Sequence, residues 1–315
     1  MSQFETGASV ARVDRRISSL KCFVWSLRKE LWEHRSIYWV PLVVAAFVAI
    51  GLLVAAFDVP ASLRGQRVWG ASTTRNPLHL PYSVSSMILM ATMILVGGFY
   101  CVETLYAERR DRSIVFWKSL PVSDAVAVIA KFVVPMVVLP LLTFLIALCA
   151  HMFMLGASAA AVSMSAMEAV SVSQLWAQLP FTEMLVALLY FIVATTLWYA
   201  PVFAWLMFIS VWAKRGAFVW AVVPPIAVIA LERIAFKASF FTDLIKSRLN
   251  GAAAESFSAR AAQKFPNGST EPFFYIETVP DPAKFFASPE LWIGLLIAAA
   301  LLIVTIRMRR LRDPI

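Results

Sequence analysis

The chain has 315 residues, 60% of them hydrophobic and only 15% charged, with a mean hydropathy of +0.75. A water-facing domain carries about 25% charged residues, so this composition excludes an ordinary soluble protein and predicts an all-α polytopic membrane protein. The net charge of +9 is read as orientation across a bilayer and not as a nucleic-acid partner, because Lys and Arg collect on the cytoplasmic side of membrane proteins.

Residues 1–36 form a cytoplasmic N-terminal segment. Within it Ile17, Leu20, Val24, Leu27 and Leu31 recur at helical spacing, while Ser18, Lys21, Arg28, Lys29 and Glu33 take other faces. With Phe23, Trp25 and Trp32, the pattern predicts an interfacial amphipathic helix, its aromatic rings at headgroup depth and its cations toward anionic membrane lipids. A plain juxtamembrane anchor is the alternative. No cleavable signal peptide is expected, because mostly polar and charged residues precede the first apolar run at Ser36.

Crossing a hydrocarbon core of about 30 Å takes about 20 apolar residues. Six runs meet that need, predicting spans near residues 37–57, 83–103, 129–155, 184–212, 217–234 and 289–306, a transmembrane domain of 37–306. Lys and Arg number seven before the first span, four in the turn 103–124, two at Lys214–Arg215 and four in the basic tail 307–315. The opposite side carries fewer, most of them in one long loop, so both termini are expected in the cytoplasm. The double proline Pro224–Pro225 leaves open a fifth segment that dips into the bilayer and returns, which would make the span number odd.

The turn between spans two and three concentrates charge of both signs: Glu103, Glu108, Arg109, Arg110, Asp111 and Arg112, then Ser113 and the apolar group Ile114–Trp117. Glu108 and Arg112 are spaced to pair along a helix. Leu120-Pro121 should stop that helix, Ser123 or Asp124 should cap the next, and Lys131 should snorkel back to the interface from its first turns. Two readings fit: a docking surface for a cytoplasmic protein, or a solvated turn whose arginines enforce topology.

The external loop 235–288 predicts a short amphipathic helix around Phe240, Phe241, Leu244 and Ile245. Turns follow at Pro266-Asn267-Gly268, Pro272, Pro280 and Pro282, and Ser288-Pro289 caps the last span. A loop of this length predicts an external cap or gate.

The sequence has no G-x-x-x-x-G-K-[ST] run, so any ATP chemistry belongs to another subunit. His34, His79 and His151 are isolated from one another, and no metal-ligand spacing joins them to Cys22, Cys101 or Cys149. No catalytic residue, metal site or cofactor is predicted in this chain.

Taken together, the residues resemble the permease subunits of ABC transporters of the ABC-2 type. The sharpest part is Glu108-Arg109-Arg110-Asp111-Arg112-Ser113 leading to Trp117-Lys118-Ser119-Leu120-Pro121-Val122-Ser123, a charged helix before an "sLPvs" turn, with a lysine, Lys131, opening the next span. Arg28-Lys29-Glu30-Leu31-Trp32-Glu33 is similar to the family's N-terminal helix. The resemblance implies a bacterial inner-membrane exporter built from two permease chains, identical or paralogous, and a separate cytoplasmic ATPase that binds ATP and Mg. It implies ATPase coupling through Glu103 to Ser113 and a translocation path near Gly97, Tyr100, Trp220 and Pro224. A membrane scaffold or sensor that docks a cytoplasmic partner is the alternative.

Overall fold

The computed structural model describes residues 19–69, 80–113, 116, 122–164, 181–237, 239–259 and 278–311. The expectations for Leu120-Pro121, for the turns at 266–272 and for the end of the basic tail lie outside the described residues. Helix α1 (Ser19–Glu33) precedes α2 (Ser36–Trp69) and α3 (Leu80–Arg110). A third rod follows as α4 (Asp124–Val133), a π-helical turn (Val134–Val138) and α5 (Leu139–Met164). Then come α6 (Phe181–Trp212), α7 (Ala217–Leu231) and a second π-helical turn (Glu232–Phe236). The chain continues through α8 (Phe240–Ser256), a hairpin of β1 (Phe257–Ala259) and β2 (Thr278–Pro280), α9 (Pro282–Ala287) and α10 (Pro289–Leu311).

Among the described residues, six helices are long and apolar enough to span a bilayer: Ser36–Pro60, Pro81–Arg110, Asp124–Met164, Phe181–Trp212, Ala217–Ala235 and Pro289–Leu311. The expected six-span, all-α membrane architecture is therefore present. Pro224 and Pro225 lie inside α7 without ending it, and Ala217–Ala235, at 19 residues, spans about 28 Å, close to the hydrocarbon thickness. The third rod is longer than predicted. Its 41 residues reach about 60 Å, roughly twice that thickness. Pro135 lies in the first turn of its π-helical segment, where the missing N–H shifts the hydrogen-bond ladder without breaking the rod.

Helix α6 is central, packing on α3, α7, α8 and α10, while α2 pairs with α5 and α1 lies across α4. Its inward residues Trp198, Phe203 and Met207 join Met93 and Tyr100 of α3 and Leu139 of α5 in the main core. At Gly97 a Cβ would sit 3.2 Å from the Phe203 ring and 3.4 Å from Pro135 Cβ, so the close approach of α3 depends on a residue without a side chain. Gly216, at φ 59°, turns the chain from α6 into α7.

Helix α8 leans on α6, where Trp198 Nε1 donates to the carbonyls of Ser247 (3.3 Å) and Arg248 (3.2 Å) and Tyr199 Oη donates to that of Leu249 (2.7 Å). Trp198 stands about 25 Å along α6 from Phe181 at 1.5 Å per residue. The predicted caps are present: Ser123 Oγ accepts from Val126 N, and Ser288 Oγ accepts from Leu291 N.

Candidate coupling site: a buried ion cluster at the ends of four helices

The charged end of α3 divides its side chains between two environments. Glu108 and Arg109 are both 3% exposed, whereas Arg110, Asp111 and Arg112 are exposed. The expectation of a solvated turn is thus corrected at Glu108 and Arg109. So is the expected pairing of Glu108 with Arg112: the helix ends at Arg110, and Arg112 takes a left-handed conformation (φ 57°) beyond it.

Glu108 instead turns inward. Its Oε1 accepts from Lys29 Nζ of α1 (2.9 Å) and lies 3.1 Å from Lys131 Nζ of α4; its Oε2 lies 3.2 Å from Arg309 Nη2 of α10. Lys131 also donates to Glu30 Oε1 of α1 (2.7 Å) and to Thr104 Oγ1 of α3 (2.9 Å). Glu30 Oε2 accepts from Tyr100 Oη (2.9 Å) and from Thr104 Oγ1 (3.2 Å). Arg309 Nη1 reaches Asp124 Oδ1 at the start of α4 (3.0 Å). Three cations (Lys29, Lys131, Arg309) and three carboxylates (Glu30, Glu108, Asp124) therefore join α1, α3, α4 and α10 at one end of the bundle.

Lys131 is the clearest correction to the sequence reading. It does not snorkel; at 1% exposure it is among the largest fully buried side chains. Its ammonium has three protons and three acceptors, so its donor capacity is filled. A buried charge is tolerated only with such pairing, and each pair here bridges different helices, so the cluster specifies how they sit together. Burial by itself pushes the Glu30 carboxyl up, but Lys131 and Lys29 outweigh it and hold Glu30 below its ordinary value. Burial also lowers His34, which packs edge-on against Tyr100 (5.0 Å) and stands 3.8 Å from Glu30.

Arg109 binds a different neighbour. Its guanidinium donates to the Val211 and Ala213 carbonyls at the end of α6, where a helix leaves carbonyls without intrahelical partners. Ser210 Oγ returns the contact by accepting from Leu105 N (3.1 Å) and Tyr106 N (2.8 Å). Of the outward residues, Arg110 lies 3.0 Å from both Glu103 and Asp111 and 5.7 Å from the centre of the Tyr106 ring. Ser113 Oγ donates to the Glu108 carbonyl at 3.4 Å.

The path residues implied by the resemblance do not share one surface. Gly97 is packed against α6, and Tyr100 is buried on Glu30. Trp220 is 45% exposed, meeting Trp212 edge-on at 5.1 Å, and Pro224 is half-buried on α7. Helix α7 is the least covered span, with 11% of its apolar window buried against 44% for α3 and α6. Lipid or another chain must therefore cover most of its surface.

Sequence reasoning missed Glu30, Asp124 and Arg309 as cluster members. The one available signal was a lysine in the first turns of an apolar helix, which requires a buried counter-charge somewhere in the fold.

His151 is buried beside Ser85 Oγ (3.3 Å) and Ser86 Oγ (3.1 Å). Both hydroxyls donate to the Tyr82 carbonyl, so toward His151 they accept, the reverse of what a base activating a serine requires. Among the described residues no group of three or more His, Cys, Asp or Glu is arranged to hold a metal.

Fold and cluster define a class: an all-α, multi-pass membrane protein whose N-terminal helix is ion-paired to its second and third spans, with Arg309 joining the sixth to both. Comparison with protein-family models, curated proteins and solved structures finds no match.

Proposed function

We propose that the chain is the permease subunit of an ATP-driven ABC exporter, resident in a bacterial inner membrane with both termini cytoplasmic and worked by a separate ATPase that binds ATP and Mg. The observation that carries this reading is the division of charge at the end of α3. Arg110, Asp111 and Arg112 face outward, while the adjacent Glu108 and Arg109 are bound to α1, α4, α6 and α10. A partner that grips the outward residues is one residue away from a joint shared by five helices. Displacement of that joint by ATPase closure would move the spans together, by as much as the closed ATPase differs in affinity for their two arrangements.

The sparse cover on α7 supports a second permease copy. Phe99 of α3 stacks on Phe218 of α7 (5.8 Å, 10° between planes), and both are largely exposed. These rings would meet the second copy near Trp220 and Pro224.

The test is a mild-detergent pull-down of the full chain from its host, with partners identified and their stoichiometry measured. A P-loop ATPase should co-purify with the wild type and be lost from the charge-reversed variant Arg110→Glu/Arg112→Glu. Arg109 is left in place because it also binds the end of α6. A well-folded chain that purifies alone would overturn the permease reading and favour the scaffold or sensor.

A further inference from the structure

A cleft of about 740 Å³ opens beside the ion cluster, between α1 and the packed pair α4 and α10. That volume is within the range of about 300–1,000 Å³ found for ligand sites. One wall is the outer face of α1. Arg28 lies over the ring of Trp32 (4.7 Å) and beside that of Trp25 (5.7 Å), and both tryptophans are 66% exposed. The floor is made by Lys29, Lys131 and Arg309 with their carboxylates. Every cation of the floor is bound to a carboxylate, whereas Arg28 at the mouth has no ion pair among the described residues.

Connectivity decides the kind of ligand. Only His34 and Arg35 separate α1 from the helix that opens the first span, so the cleft lies at the membrane surface, open to headgroups of that leaflet. Indole rings flanking a guanidinium match a headgroup region, with the rings against glycerol and acyl chain and the cation against phosphate.

We propose that this cleft binds an anionic phospholipid of the adjoining leaflet, its phosphate on Arg28 between Trp25 and Trp32. The lipid then braces α1 against α4 and the ion cluster. The proposal does not rest on transport, and its test is a binding measurement.

The full chain in mild detergent is titrated with phosphatidylglycerol or phosphatidylcholine of identical acyl chains, and bound lipid is counted by native mass spectrometry. Wild type should prefer phosphatidylglycerol by about fivefold, Arg28→Glu should abolish the preference, and Arg110→Glu, at the exposed tip of α3, should keep it. Dibrominated phosphatidylglycerol should quench wild-type tryptophan fluorescence, and Trp25→Phe/Trp32→Phe should remove the component of that quenching that Arg28→Glu also removes. Equal binding of the two lipids, a preference that survives Arg28→Glu, or one lost equally in Arg110→Glu would overturn the proposal. Displacement by millimolar inorganic phosphate would also overturn it, assigning the site to a free anion.

Discussion

Replacing Lys131 by methionine keeps the length and apolar stem of the side chain but deletes the ammonium at the centre of the cluster. Glu30 Oε1 (2.7 Å) and Thr104 Oγ1 (2.9 Å) then lose this donor, and Glu108 Oε1 loses its 3.1 Å contact and keeps only Lys29. The Glu30 and Glu108 side chains are each 3% exposed, so water replaces little of the lost interaction and two like charges face each other. Removing one partner of a buried pair costs about 3–5 kcal/mol. Spread over a chain of this size, that is a fall in melting temperature of about 5–8 °C. Neutralising Glu30 in the same chain should recover part of the loss, because Glu30→Gln/Lys131→Met leaves one buried carboxylate fewer without a counter-charge. The assay is thermal unfolding in detergent for the two single variants and the double, read as a double-mutant cycle. A coupling below about 0.5 kcal/mol, the scatter expected of independent sites, would refute the argument that this pair holds α1 to α4.

Acid should act through the same residue. Glu30 is held below its ordinary value of 4.5, so its contribution is fully present above that value and is lost as pH falls through the depressed one. A melting-temperature profile against pH should fall on this acid limb in wild type and flatten there in Glu30→Gln; parallel profiles would contradict the assignment. Arg109→Ala should destabilise the chain by about 2–4 kcal/mol, since it leaves the Val211 and Ala213 carbonyls without their charged donor. Arg110→Ala should leave the melting temperature unchanged, and equal effects in the two variants would contradict the inward and outward assignment. At Gly251 a Cβ would lie 2.8 Å from Trp198 Cζ2, an overlap with a rigid buried ring. Gly251→Ala should cost about 1–3 kcal/mol, seen as a lower melting temperature with altered tryptophan emission, and a silent substitution would show that α8 does not press on α6.

The spans were legible because their signal is local. Twenty apolar residues without charge cannot be placed comfortably anywhere but in lipid or a core, and Ser123 and Ser288 announce helix starts through hydrogen bonds made within three residues. Periodicity was a weaker guide on α1: Leu27 and Leu31 do pack inward, yet Leu20 and Val24 are 72% and 54% exposed while Glu30 is 2% exposed. An apolar residue on an interfacial helix is stable facing either protein or lipid, so the pattern alone does not choose. Charge at the end of α3 was equally visible in the sequence, but its direction was not. Whether Glu108 meets solvent or the bundle depends on Arg309, 201 residues away, and Lys131 finds Glu30 across 101 residues. Sequence by itself determined that the chain is a six-span helical membrane protein and that one turn is rich in charge. Only the tertiary structure decided which charges are buried as a joint and which are presented outward, because a buried ion is satisfied by partners that folding alone brings within hydrogen-bonding distance.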